Sequence, residues 1–261
     1  MMNLKDQISV VTGGGQGIGR EIALRLAHEG VVVVIGDINE KGSHETAAMI
    51  ANQGGRKAVV IPTDITYEDQ VVRLINGAMD IAKRIDILVN NSGVMGPVKN
   101  IEDITVEEWE ETMAVNVTGM FLCCKHTIPI MKKQGKGSIV NISSITGKRH
   151  LTQRTPYAAS KMGVIGLTRT LAAEVGKWKI RVNAICPGGI TGERLDRVFE
   201  GIMKYSGKSR EQIIAERTEA TPLKTLVHPK YVAALVAFLC SEDAAMMTGQ
   251  DINVSAGAVM F

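Results

Sequence analysis

The chain has 261 residues, 45% of them hydrophobic, and a formal net charge of +3. That length suits one α/β domain with a substantial core, and basic residues scattered along the chain rather than gathered in a stripe give no push towards nucleic acid. The longest apolar runs, such as residues 31–35, are far too short to span a bilayer, so no membrane partner is expected either.

Residues 8–11 read as a β-branched strand that begins almost at once, with no cationic-then-apolar leader before it, which points to a cytoplasmic protein. A glycine-rich turn follows, Thr12-Gly13-Gly14-Gly15-Gln16-Gly17-Ile18-Gly19, and opens an amphipathic stretch over 18–29. The strict GxGxxG spacing is absent. The context, strand then glycine turn then helix, is still one in which the backbone can approach a pyrophosphate closely and the helix amino end favours its charge.

Further strands are predicted over 31–35, 58–61, 85–89, 138–142, 181–185 and 250–254, with helical patterns over 42–52, 68–83, 106–133, 157–176 and 230–239 between them. Apolar strands separated by helices imply a parallel sheet covered on both faces. Asp37 closes the second strand, in Val33-Val34-Ile35-Gly36-Asp37. A carboxylate there accepts from both ribose hydroxyls of adenosine and repels a 2′-phosphate, so NAD is expected over NADP. Gln16 agrees, because a basic residue in that turn would be wanted for the extra phosphate. Asp64, after the third strand, is a candidate contact to the adenine amino group, or a helix cap.

Residues 188–221 break the alternation and are rich in charge, with Arg194, Asp196, Arg197, Glu200, Lys204, Lys208 and Arg210. An insertion at the carboxyl end of a strand in such a sheet sits over the ligand crevice, so the segment reads as a substrate lid, the alternative being a solvated helical excursion. Cys123, Cys124, Cys186 and Cys240 lack metal-ligand spacing and read as buried free thiols of a reducing compartment, with no metal site.

The chemistry concentrates in Tyr157-Ala158-Ala159-Ser160-Lys161, with Ser144 upstream. A tyrosine and a lysine four positions apart share one helical face, so the ammonium stabilises the ionised phenol and lets it act as a base near neutral pH.

These motifs, in this order, resemble the short-chain dehydrogenase/reductases along essentially the whole chain. Thr12-Gly13-x-x-x-Gly17-x-Gly19 resembles the family's cofactor signature, Asn90-Asn91-Ser92-Gly93 its Asn-Asn-Ala-Gly motif, and Asn116 in Val115-Asn116-Val117 its helix asparagine. Ser144, Tyr157 and Lys161 complete a pattern similar to its Asn-Ser-Tyr-Lys tetrad, and Pro187-Gly188 resembles the segment facing the nicotinamide. The resemblance implies an α/β, single-domain, Rossmann-type doubly wound sheet of about seven strands over residues 1–261. It also implies a homotetramer and reversible hydride transfer between a nicotinamide and a carbonyl/alcohol pair.

The same resemblance implies roles. Ser144 orients the substrate oxygen, Tyr157 takes the alcohol proton, Lys161 supports Tyr157 and binds the nicotinamide ribose, and Asn116 holds a relay water. Cofactor contacts are expected at Gly13, Gly15, Gln16, Gly17, Ile18, Gly19, Asp37, Asp64, Ile65, Asn91, Tyr157, Lys161, Pro187, Gly188 and Ile190. Asn90 and Asn91 are expected to be mostly structural, bridging strands beneath the cofactor. Ser143 is the rival for the serine role; Ser144 is preferred because its distance from Tyr157 matches the family spacing and alternation at a strand end turns its neighbour away. Two departures stand out. Thr191 comes one position early for the carboxamide contact, so either it or backbone groups serve, and Ser92 replaces the usual alanine.

The loop between Ser144 and Tyr157 flanks the substrate, and Arg154 in it is a candidate anchor for an anionic group, with Arg149 or Arg194 as second contacts. The plainer reading is that loop arginines face water or pair across an interface, and that His150 is solvated. An aromatic content of 4% favours a small polar substrate over a large apolar one. The leading expectation is therefore an NAD-dependent dehydrogenase of a small hydroxylated metabolite. The alternatives are an NADPH-dependent 3-oxoacyl thioester reductase and a non-catalytic NAD-binding redox sensor. The apolar tail 256–261 is expected to be buried against the body or a neighbouring subunit.

Overall fold

In a computed structural model, which describes residues 2–192, 199, 202–203 and 206–261, strand β1 (Ile8–Thr12) is buried along its whole length. It pairs in parallel with β2 (Val32–Asp37) on one side and β4 (Ile87–Asn90) on the other, setting Val10 against both Val34 and Leu88. β3 (Val59–Pro62), β5 (Gly137–Ile142), β6 (Ile180–Pro187) and β7 (Asp251–Val254) complete a parallel seven-stranded sheet of order β3-β2-β1-β4-β5-β6-β7. The order reverses between β1 and β4, and a crevice opens at the carboxyl ends of the strands at such a switch point.

The strands read as unbroken apolar runs because successive side chains enter two different cores. Val11, Val33 and Ile35 pack with Ile22 and Leu26 of α1 (Gly17–His28) and Val236 of α8 (Pro229–Cys240). Val10, Val34 and Leu88 pack on the opposite face with Leu74 of α3 (Glu68–Ala82) and Cys123 of α5 (Gly119–Gln134). The remaining helices are α2 (Glu40–Asn52), α4 (Val106–Met113), α6 (Thr155–Val175) and α7 (Arg210–Glu219). The result is a Rossmann-type sheet with helices on both faces.

The helix expected over 106–133 is divided. α4 starts from a capping box between Thr105 and Glu108, passes into a π-helical turn at Ala114–Thr118, and continues as α5. Within the expected lid, α7 is capped by a second such box, Ser209 with Gln212, a signal present in the sequence. Arg194, Asp196, Arg197, Glu200 and Lys204 lie outside the described residues. Burial of the carboxyl-terminal tail against the chain's own body stops at Val259 (7% exposed), and Met260 (77%) and Phe261 (79%) are open. The four cysteines are free and buried, and burial pushes the Cys124 and Cys240 thiols up to about 12. Among the described residues, no helix is long and apolar enough to cross a membrane.

Candidate active site

β1 delivers Thr12 to the switch point, where its Oγ1 accepts from the backbone N–H groups of Asn91 at 3.0 Å and Ser92 at 3.1 Å. The Asn91 amide donates to the carbonyls of Thr12 (3.0 Å) and Gly13 (2.9 Å), so this side chain holds the glycine turn together. Asn90 lies one step deeper and donates to Asn141 Oδ1 at 2.8 Å, joining β4 to β5. Gly13 and Gly17 have φ of +67° and +54°, a region that disfavours side chains. A Cβ on Gly19 would lie 1.9 Å from the Gly13 carbonyl oxygen, whereas one on Gly17 would meet nothing.

The amino end of α1 is left open. Gln16 makes no side-chain cap, and the first turn holds no acidic residue. Its unpaired N–H groups suit a pyrophosphate approaching over Gln16 and Gly17, both exposed, while Ile18 turns to the core. A dinucleotide fits this cradle.

Asp37 ends β2 in a buried position. One carboxylate oxygen accepts from Gly15 N at 2.8 Å and the other from Asn39 N at 2.9 Å, so Asp37 also staples the turn. Arg20 grips the same turn through the Gly15 carbonyl at 2.6 Å and pairs with Glu45 at 3.0 Å, a role sequence reading missed. Asp64 Oδ1 accepts from Thr66 N (2.9 Å) and Thr66 Oγ1 (2.7 Å), forming a turn before α3 in keeping with the local alternative. The Ile65 side chain is buried against α5, where a Cβ on Gly119 would lie 2.5 Å from its Cδ1.

At the end of β5 the two serines part. Ser143 N donates to Ile185 O at 2.8 Å and its hydroxyl donates to the Lys161 carbonyl at 2.7 Å. Ser144 Oγ accepts from Thr146 N at 3.1 Å, capping a 3-10 turn at Ile145–Gly147, and keeps its own proton to donate. From α6, Lys161 Nζ donates to Ile142 O at 2.9 Å and stands 5.8 Å from the Tyr157 ring centroid.

Asn116 occupies the π-helical turn. Its Oδ1 accepts from Val94 N (2.8 Å), and its Nδ2 donates to Val94 O and to Ser160 Oγ, both at 3.0 Å. Ser160 in turn donates to the Tyr157 carbonyl at 2.8 Å. A Cβ on Gly93 would lie 2.9 Å from Asn116 Oδ1 and 3.5 Å from Lys161 Nζ, so these two groups converge on one glycine. Ser160 and Val94 are further residues that sequence reading did not single out.

On the substrate side, Arg154, the candidate anchor, does not face water. It is 3% exposed, donates to the Met95 carbonyl, and holds its guanidinium 5.1 Å from the Tyr157 ring centroid. Arg149 and His150 are exposed. Burial, and secondarily the charge of Arg149, lower the basicity of the Arg217 guanidinium on α7. Arg194 lies outside the described residues. After β6, Pro187 is buried and Gly188 N donates to Val254 O at 2.9 Å; Ile190 bridges to Val227, and the exposed Thr191 donates from its backbone to Val227 O at 3.0 Å.

The arrangement sets a phenol beside an ammonium on α6, and that ammonium is bonded to the end of β5 two residues before Ser144, two strands along from a phosphate-ready turn. It can move a proton to or from an alcohol oxygen beside a bound dinucleotide.

Residues 13–259 match a family model described as enoyl-(acyl carrier protein) reductase. An uncharacterized oxidoreductase of Thermotoga maritima is 36% identical over 257 residues, covering 98% of this chain and 99% of that protein. A 3-oxoacyl-[acyl-carrier-protein] reductase of the same organism is 33% identical, covering 99% and 100%. Among solved structures, a levodione reductase superposes with TM-score 0.92 at 31% identity, covering 97% of each chain. An NAD+-bound xylitol dehydrogenase gives 0.94 at 28% (98% and 100%), and an actinorhodin polyketide ketoreductase with NADPH gives 0.95 at 32%, covering both chains fully.

Proposed function

The chain belongs to the short-chain dehydrogenase/reductase family, and on that footing we propose that this oxidoreductase uses NAD to exchange a hydride with a small polar secondary alcohol or its ketone. The observation that carries the reading is Lys161 held 5.8 Å from the Tyr157 ring and bonded to the carbonyl of Ile142, the end of β5, two residues before Ser144. A nicotinamide, when bound, supplies the hydride acceptor. Ser144 Oγ, fixed by Thr146 N, orients the substrate oxygen and balances its partial charge. Tyr157 Oη takes the alcohol proton, and Lys161 steadies the phenol's negative charge. Asn116, converging with Lys161 on Gly93, stands where that proton can be passed onward.

Asp37 supports NAD, because a 2′-phosphate at the end of β2 would meet a carboxylate. A second reading, an NADPH-dependent 3-oxoacyl thioester reductase, draws support from the relatives of that name. A redox-sensing module without turnover ranks third, having no need of Ser144, Tyr157 and Lys161 together. Exposed Arg149 is the residue proposed to meet an anionic group on the substrate.

The test follows NADH absorbance with NAD and with NADP over secondary alcohols, hydroxy acids and hydroxyacyl thioesters. Turnover with NAD on a small alcohol supports the reading; preference for NADP and acyl thioesters moves it to the second, and tight NADH binding without turnover to the third. We also propose a cytoplasmic homotetramer in which Met260 and Phe261 meet a neighbouring copy. A monomer by light scattering at micromolar concentration would contradict the assembly.

A further inference from the structure

Residues 255–261 follow β7 and touch three separate parts of the candidate site. The first is the segment after β6, where Gly188 N donates to Val254 O at 2.9 Å and a Cβ on Gly188 would lie 2.9 Å from Ser255 Cα. The second is the chain just past α7. There Leu223 N donates to Ala256 O at 3.2 Å, and a Cβ on Gly257 would lie 2.7 Å from Pro222 Cγ. The third is the 3-10 turn that Ser144 caps. Val259 joins Ile145, Ile165 and Cys186 in a small apolar cluster apart from the two main cores, and Lys148 Nζ donates to Phe261 O at 2.9 Å.

The segment is fixed from β7. Ala256 and Gly257 take φ of +53° and +85° and turn the chain back, and Ala258 N donates to Ser255 O at 3.0 Å. Asn253 Nδ2 donates to Val259 O and to Phe261 O, each at 3.1 Å. Lys148, whose side chain is nearly buried, is anchored to Asp251 at the start of the same strand.

The turn itself is closed by short local bonds. Thr146 N donates to Ser144 Oγ at 3.1 Å, Gly147 N to Ser144 O at 2.9 Å, and the backbone N–H groups of Lys148 and Arg149 to Ile145 O at 3.0 Å each. One turn of 3-10 helix has little stability of its own, so its orientation depends on what packs against it. α6 supports the middle, where a Cβ on Gly147 would lie 2.7 Å from the Lys161 carbonyl oxygen. Residues 259–261 hold the two ends, Ile145 and Lys148.

Resting on the reading of Ser144 as the group that orients the substrate oxygen, we infer that residues 255–261 brace the Ser144 turn against the segment at Gly188, with Val259 as the positioning residue for Ser144. The brace acts through Ile145, the neighbour of Ser144, and makes no contact with the substrate.

The test compares three variants. Val259→Ala empties space beside Ile145, Val259→Ile keeps it filled, and Ile75→Val deletes a buried methylene in the core on the opposite face of α1 and α8. Deuterium exchange read by mass spectrometry should show amides 146–149 exchanging about tenfold faster in Val259→Ala, with those of α1 and α3 unmoved. Val259→Ile should exchange there as the wild type does, and so should Ile75→Val. On a secondary alcohol that the wild type turns over, Val259→Ala should lower kcat about tenfold while KM for the dinucleotide stays within about twofold.

Exchange of 146–149 that keeps the wild-type rate in Val259→Ala, or that rises there no more than across the rest of the chain, would overturn the inference. Faster exchange confined to the turn with kcat unchanged would overturn it too, since Ser144 would then not depend on the brace. The exchange readout needs no substrate: a wild type that turns over no alcohol would count against the proposed activity, and the exchange rates would still decide whether the segment holds the turn.

Discussion

Lys161 Nζ donates to the main-chain carbonyl of Ile142, the last residue of β5, at 2.9 Å. The strand that leads to Ser144 thereby also fixes the cation beside Tyr157. Lys161→Met is expected to lower kcat by about 10²- to 10⁴-fold. It should also cost about 1–3 kcal/mol of stability by leaving the Ile142 carbonyl buried and unpaired. Steady-state kinetics and urea unfolding of the same preparation check both effects.

Asp37 serves the glycine turn through Gly15 N at 2.8 Å, in addition to any ribose hydroxyls. Asp37→Ala should therefore raise the KM for NAD by about 10- to 100-fold, the worth of charge-assisted hydrogen bonds. Little activity with NADP should be gained, because the turn loses its staple while the repulsion is removed. Measuring KM for both dinucleotides decides this; an efficient switch to NADP would show that Asp37 acts by repulsion alone.

Lys148 and Asp251 form a nearly buried pair at 2.6 Å, and Arg169 adds a contact to Asp251 at 2.5 Å. Burial pushes the Asp251 carboxyl up, but hydrogen bonds from Lys148 and Arg169 outweigh it and hold it below the ordinary 3.8. A carboxyl depressed in the fold gives stability that is complete above its unfolded value and lost as pH falls through its folded value. Asp251→Asn should cost about 2–4 kcal/mol near neutral pH, because Lys148 is left buried without its counter-charge. The gap to wild type should close only well below about pH 4 in unfolding curves taken across the acid range. Equal stability at neutral pH would show that the pair contributes nothing net.

The strands were legible because both faces of this sheet are covered: Val33, Val34 and Ile35 all need burial, and an unbroken apolar run announces that. The glycine turn and Asp37 were legible because a tight backbone and a carboxylate at a strand end are local features. The π-helical turn at Asn116 was not. Val115-Asn116-Val117 continues an amphipathic pattern without glycine or proline, and the bonds that hold Asn116 run to Val94 and Ser160, 22 and 44 residues away. The burial of Arg154 was not legible for the same reason, since a loop arginine carries no local sign of a carbonyl waiting 59 residues upstream. α7 is the opposite case, where the Ser209-x-x-Gln212 box lay in view among the surrounding charges.

The most direct measurement is NADH formation by wild-type protein and Tyr157→Phe, each with NAD and with NADP, on a secondary alcohol found in the substrate screen. NAD-dependent turnover by the wild type, with kcat lowered about 10²-fold or more in Tyr157→Phe and nucleotide binding retained, is the expected result. Undiminished turnover in Tyr157→Phe, or a wild type that prefers NADP, would contradict it.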